Sequence, residues 1–464
     1  LRTTEVVYAN IPLEFGKYLL RETFMDYSNG SGQKLWLAAK KIIPGGNQLL
    51  SKRAEMFLPN IWPAYYSKAK GYKVWDLDGR EYNDFATMGI GACALGYADA
   101  DINAKVKEAI DAGSMSTLNC PEEVQLAEEL ISLHPWADMA RFARSGGEVC
   151  SIAVRTARAA TKKDKVLFCG YHGWHDWYLS SNIVNSENLD QQLLSGLSSN
   201  GVPSSLSGTS IPFSYNDLSQ FKELVQIHRG QIAAVFMEPV RSTEPAPGFL
   251  EAIRDIASHE GIVLIFDEIT SGFRVNEGGV HLKYNVKPDL AVFGKALGNG
   301  FPISAVIGVG EVMSAIQDTF VSSTFWTERV GFTAALATLE KFKKFQVHRH
   351  LINNGKAINY AWESAANAAQ IKIKVSGLEP LTHIDFVHEK ASVLQTLYTQ
   401  EMLKRGYLVG SSAYATYAYD NEILEQFKRD TEVVFGFLKT AIDSGHPENF
   451  MLSDIKHSGF QRLS

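Results

Sequence analysis

Two residues in this chain have the types and spacing for covalent chemistry: Asp267 and Lys295, 28 positions apart. A continuous apolar run, Ile262 to Phe266, ends abruptly on Asp267 and Glu268. Apolar, β-branched runs bounded by turn signals read as strands buried on both faces of a parallel sheet. A carboxylate at the carboxyl end of such a strand sits where open α/β sheets bind their ligands. A second run, Leu290 to Phe293, ends on Gly294 and Lys295 and is followed by the glycine-rich turn Ala296 to Gly300. An acid and an amine are therefore expected to emerge from two strand ends.

A solvated, protonated lysine is a poor nucleophile. Desolvation or a neighbouring cation lowers its pKa and lets it add to a carbonyl. Pyridoxal phosphate (PLP) uses such a lysine, together with an acid that keeps its pyridine nitrogen protonated so that the ring can act as an electron sink. Taken singly, Lys295 reads as a surface lysine after a strand and Asp267 as a cap for the next turn. Taken together in glycine-rich surroundings, the pair favours PLP.

The segments FDEITSGFR (266–274) and GKALGNGFPISAVIG (294–308) resemble the class III, fold-type I PLP-dependent aminotransferases, particularly the glutamate-1-semialdehyde aminomutase branch. The resemblance runs from about Pro44 to about Phe345 and more loosely beyond. It implies an α/β fold in which a large domain with a mainly parallel central sheet carries a smaller α/β domain made from both termini. Residues 1–95 are then an N-terminal arm and part of the small domain, 96–345 the PLP-binding domain, and 346–464 the rest of the small domain. The pattern along the chain agrees. Lys34 to Lys41 reads as a helix stopped by Pro44-Gly45-Gly46, and the stretch after Ala64 as short strands with a turn at Asp78-Gly79. Asp101 to Gly113 and Pro121 to Leu133 have helical spacing. Lys165–Cys169, Ile232–Glu238 and Ile262–Asp267 then alternate with helical stretches such as Phe249–Ser258, which argues for a doubly wound sheet. Val330 to Phe345 reads as a long amphipathic helix, and Lys372–Val375 and His383–Val387 as strands. The Ser- and Gly-rich segment 185–209 is long for a loop and reads as a lid or substrate-channel candidate.

Around the pair, Ser145-Gly146-Gly147 opens a helix whose Ile152, Val154, Ala157 and Ala160 could face the sheet. Unpaired N–H groups and the macrodipole make such a turn a natural phosphate cradle. The family's Ser-Gly-(Thr/Ser) turn maps onto it, with Gly147 lacking the last hydroxyl. The resemblance makes Lys295 the Schiff-base lysine, Asp267 the partner of the ring nitrogen, and Tyr171 and Ile269 the groups on the two ring faces. It also implies that His172 follows the stacking aromatic, that Glu238 lies near the site, and that Thr324 of a neighbouring subunit reaches the phosphate. A homodimer with a shared active site follows. A rival reading of His172, His175 and Asp176 as metal ligands lacks a recognisable further partner, so no metal is expected. For the substrate, Arg53 is a loose match to the branch's carboxylate-facing arginine, and Trp326 and Tyr414 offer a polar-aromatic wall. An acidic residue of the mutases is missing at Ser412-Ala413-Tyr414-Ala415.

With 464 residues, 45% of them hydrophobic, the chain can bury a large core. A net charge of −6 without basic blocks argues against nucleic acid. Cys93, Cys120, Cys150 and Cys169 form no C-x-x-C pair, no apolar run suits a membrane span, and no basic-then-apolar leader is visible, so a cytoplasmic location is expected. The expected function is transfer of an amino group between an amino donor and a ketone or aldehyde acceptor, with a hydroxylated or sugar-like compound as the suggested substrate. An intramolecular aminomutase is the alternative, and a non-catalytic subunit that keeps the fold is the third reading.

Overall fold

The computed structural model describes residues 29–463 apart from positions 193, 241 and 461. Most of the expected N-terminal arm, residues 1–28, lies outside the described residues. The helix read at Lys34–Lys41 runs from Ser31 to Ile42. Tyr66–Lys70 (β1), Lys73–Asp76 (β2) and Glu81–Asp84 (β3) form an antiparallel meander. Gly79, with φ 79°, turns the chain between β2 and β3.

Helices Ala100–Asp111 and Pro121–Leu133 follow. Pro121 occupies the first turn of the second, where its missing N–H costs nothing, and Glu122 and Glu123 complement the positive helix end. The chain then lays down Met139–Ala143 (β4), Lys165–Cys169 (β5), Ser210–Pro212 (β6), Ile232–Met237 (β7), Val263–Asp267 (β8), Leu290–Phe293 (β9) and Ser304–Gly308 (β10). These make one seven-stranded sheet in the order β4-β10-β9-β8-β7-β5-β6. β10 alone runs opposite to the other six strands.

Every residue of β7, β8, β9 and β10 is buried, which is why these runs show no polar alternation. Successive side chains point to opposite faces. Ile265 packs with helix Gly146–Thr161 on one side, while Leu264 and Phe266 pack with helix Phe249–Glu260 on the other. Within the first helix Ile152, Val154 and Ala157 are buried, but Ala160 is exposed. Ala160 lies in the last turn, just before Lys162 ends the helix in a left-handed conformation, so the expectation that it faces the sheet is corrected.

Beyond helices Arg329–Phe345 and Val347–Ala369 come Ile373–Ser376 (β11), Leu381–Phe386 (β12), Tyr407–Leu408 (β13) and Ser412–Tyr414 (β14). β13 pairs in parallel with β3, so the two ends of the chain share a sheet. Phe85, just after β3, stacks on Phe427 of helix Asn421–Asp443 at 4.1 Å and joins the C-terminal core. The α/β architecture implied by the resemblance is the one observed.

The 185–209 segment contains one short helical turn, Ser204–Leu206. It is anchored at its base: Leu189 is fully buried, and Gln192 Oε1 accepts from the N–H of Gly170 at 2.7 Å. Among the described residues no helix is long and apolar enough to cross a membrane.

Candidate active site

β8 and β9 are adjacent and parallel, with Asp267 opposite Val292. Asp267 and Lys295 therefore leave the same edge of the sheet. Asp267 is buried, and a buried carboxylate needs hydrogen bonds. Its Oδ2 accepts from His172 Nδ1 at 2.7 Å, and its Oδ1 accepts from the Ile269 N–H at 3.0 Å. The Cys150 thiol, from the helix behind, lies 3.8 Å from Oδ2. His172 is in turn held by its ring, stacked 4.3 Å from Phe236. Its Nδ1 is committed to Asp267, whereas His175 lies against Gly147. The two histidines thus serve different neighbours. Among the described residues no group of three or more His, Cys, Asp or Glu is arranged to hold a metal ion.

The Lys295 amine donates to Thr270 Oγ1 at 2.8 Å. Burial pulls its pKa down to about 8, aided by the Arg274 guanidinium and opposed by Glu238 and Asp267. Lys295 itself has φ 43°, in the left-handed region, so its backbone carries strain of about 1–3 kcal/mol. The turn is pinned: Leu297 N–H donates to Gly294 O at 3.0 Å, and Asn299 Oδ1 accepts from Leu95 N–H at 2.9 Å.

Arg274 was not singled out from sequence, although it ends the FDEITSGFR segment. It is 1% exposed, donates from Nε to Thr270 O at 2.6 Å, and caps Gly91 O through Nη2. Thr270 therefore joins both cations, through its hydroxyl to Lys295 and through its carbonyl to Arg274. The expected outcome is that, in cofactor-free protein, acylation of Lys295 by a water-soluble anhydride reaches half its limit near pH 8, read by peptide mass spectrometry. A midpoint above pH 10 would mean that the amine is in ordinary solvent. The folded value lies below the ordinary 10.5, so the fold is penalised while the amine is protonated, below about pH 8. That penalty is relieved as pH rises from about 8 through 10.5.

The helix that begins at Gly146 does so because Glu148 folds back: its Oε2 accepts from the Ser145 N–H at 2.8 Å and from the Ser145 hydroxyl at 3.1 Å. A Cβ built on Gly146 would stand 3.1 Å from Ile269 Cδ1. One on Gly294 would stand 3.5 Å from Ile269 Cγ2. Ile269 thus lies between the helix start and the residue before Lys295. Tyr171 leaves the end of β5, half-buried, with its N–H 3.4 Å from Glu238 Oε2. Burial, with Cys150 and Asp267 nearby, raises its phenol pKa. Glu238 follows β7 directly, and its Oε2 would be 2.5 Å from a Cβ on Gly170, which has φ 121°. Only glycine fits there.

Trp326 Nε1 donates to Glu148 Oε1 at 3.2 Å, and Arg144 Nε donates to Phe325 O at 2.6 Å. The segment holding Thr324 is docked beside the Ser145 turn, with Thr324 exposed and Phe325 66% exposed. Tyr414 lines the other side: a Cβ on Gly91 would be 3.3 Å from its ring and 2.8 Å from Arg274 Nη2. Arg53 is placed differently. Its guanidinium packs on the Gly45 turn and 5.7 Å from the Phe460 ring centre. Neither contact ties it to Lys295.

The geometry is two strand-end residues of opposite charge type, a helix N-terminus beside them and an aromatic at the end of β5, two strands from β8. The Aminotransferase class-III family model matches residues 58–416. The chain belongs to the class-III aminotransferases. Among curated relatives, 3-aminobutyryl-CoA aminotransferase of Cloacimonas acidaminovorans is 31% identical over 374 residues, spanning 79% of this chain and 86% of that protein. Glutamate-1-semialdehyde 2,1-aminomutase of Methanosphaera stadtmanae is 32% identical over 389 residues, 81% of this chain and 89% of that one. Among solved structures, the PLP form of FumI from Sphingopyxis sp. MTA144 superposes with a TM-score of 0.81 at 26% identity. It covers 90% of this chain and 100% of the FumI chain.

The residues of this class-III aminotransferase fit PLP on their own chemistry. They offer a lysine amine poised near neutrality, a buried carboxylate one strand away, and a glycine-walled helix start. They also leave a buried imidazole nitrogen, His175 Nδ1, with no partner among the described residues.

Proposed function

We propose that this class-III enzyme transfers an amino group from a small amine donor to a ketone or aldehyde acceptor, with PLP held between Lys295 and Asp267. One observation carries the reading: the Lys295 amine, drawn down to about pH 8, emerges next to the strand that ends on buried Asp267. PLP, when bound, supplies the electron sink that acidifies the substrate C–H beside nitrogen. Lys295 Nζ then takes that proton as general base and returns it as general acid, a role suited to an amine titrating near the working pH. Thr270 Oγ1 steadies the amine between these acts. Asp267 holds positive charge at the ring nitrogen, and His172 Nδ1 keeps the carboxylate turned toward it. Tyr171 and Ile269 confine the ring. The Ser145–Gly147 turn receives the phosphate, with Thr324 of a second subunit completing it in a homodimer. The exposed Phe325 ring beside that turn supports a neighbouring subunit packing there.

Tyr414 and Trp326, with Arg274 behind Tyr414, form a polar-aromatic surround suited to a hydroxylated or sugar-like carbonyl compound. A cytoplasmic setting fits four cysteines that all remain free. The aminomutase reading is favoured by the Methanosphaera relative, but Ala415, near the mutases' acidic residue, is buried in the core cluster of the large sheet. The two readings part in a donor–acceptor screen with purified enzyme. Transamination requires both partners and stops after one half-reaction when the acceptor is left out. Full turnover of a single amino-carbonyl compound, with no second substrate, would establish the mutase instead.

A further inference from the structure

The family's phosphate turn ends on a hydroxyl residue, and here that residue is Gly147. The Ser145 hydroxyl is itself spent on Glu148 at 3.1 Å. The side-chain donors expected at this helix start are thus one absent and one diverted. A phosphate here needs another.

The structure assigns that role to His175, a phosphate-binding residue that occupies the space of the side chain Gly147 lacks. This rests on the PLP reading above. A Cβ built on Gly147 would stand 2.7 Å from both Nδ1 and Cε1 of His175. No side chain at 147 can coexist with the imidazole as placed. The loop carrying His175 presses onto the same point, since a Cβ on Gly173 would be 3.1 Å from Gly147 Cα. Glycine at 147 is therefore the condition for His175 to reach the helix start.

The imidazole is oriented for the task. Trp174 stacks on it with ring centres 4.5 Å apart and planes 25° apart. His175 Nδ1 is buried and has no hydrogen-bond partner among the described residues. Leaving such a nitrogen unpaired is unfavourable, and a phosphate oxygen at the helix start would satisfy it. Burial lowers the imidazole pKa, with Glu148 and Asp176 pulling the other way. A neutral ring carrying its hydrogen on Nδ1 donates to an anion.

The test compares three ligands on the full-length, cofactor-free protein by equilibrium dialysis: PLP, pyridoxal, which lacks the phosphate, and inorganic phosphate. His175→Ala is expected to weaken PLP and phosphate about ten- to a hundredfold, the worth of a hydrogen bond to a charged group, and to leave pyridoxal unchanged. His175→Asn, whose amide donates from nearly the same place, should recover most of the loss. Gly147→Ser should collide in the wild-type background but restore PLP affinity when combined with His175→Ala. Equal losses for PLP and pyridoxal, or PLP affinity unaffected by His175→Ala, would overturn the assignment. Wild-type protein that binds no PLP would instead defeat the underlying cofactor reading.

Discussion

Lys295→Ala is expected to abolish the visible absorbance that a lysine-bound PLP gives and to slow amino transfer at least 10²- to 10⁴-fold, about the contribution of one positioned acid–base group. Two roles are lost together. The covalent attachment goes, and so does the amine that carries the proton. PLP should still bind, because the Ser145–Gly147 turn and Asp267 are untouched. A small primary amine added to the solution should restore part of the rate, since the cavity left by the side chain admits it next to Thr270 Oγ1. The measurement is an absorbance spectrum and a single-turnover rate on the same preparation. A variant with an unchanged spectrum would place the reactive lysine elsewhere.

Asp267→Asn has the second-largest expected effect, a loss of about 10²–10³ in turnover, comparable to removing one preorganised electrostatic partner. The substitution also costs stability, for a reason visible in the hydrogen bonds. Asp267 accepts on both oxygens, from His172 Nδ1 and from the Ile269 N–H. An asparagine can accept from the Ile269 N–H with its carbonyl but turns an N–H₂ toward His172 Nδ1, so the imidazole proton either faces that donor or moves to Nε2, which is buried with no partner among the described residues. Leaving a buried donor unpaired costs about 1–3 kcal/mol, so thermal unfolding should shift downward along with the rate. If turnover falls and stability does not, the His172 bond is weaker than its 2.7 Å length implies.

These two residues were legible in the sequence because their signals are local. A buried strand announces itself by an unbroken apolar run, and the first polar residue after it lies at the sheet edge where ligands bind. Asp267 and Lys295 both follow such runs, and β5 and β9 were delimited to the residue. The helix start at Ser145 was legible for the same reason, from a serine followed by a glycine pair, whereas the part Glu148 plays in it was not. What escaped were contacts between distant segments. Arg274 and Lys295 meet on Thr270, 25 positions before the lysine, and His175 meets Gly147 across a strand and a turn. No periodicity encodes such a meeting. The Gly147 departure was the available sign, since a missing hydroxyl raises the question of what stands in its place. Arg53 was read from a motif match, and packing against the Gly45 turn and the Phe460 ring is what the fold gives its guanidinium.

The same distinction explains the soft parts of the reading. Segment 185–209 carries no periodic signal, and its anchoring through Leu189 and Gln192 depends on where the β5 end happens to lie. The surroundings of Tyr414 are also non-local: Arg274 and Gly91, more than 180 residues apart in sequence, converge beside it.

The most direct test of the account is to load purified protein with PLP, reduce it with borohydride, and map the modified residue by peptide mass spectrometry. The reduced cofactor is expected on Lys295, and on that lysine alone at stoichiometric loading. Modification of a different lysine, with Lys295 recovered unlabelled, would contradict it.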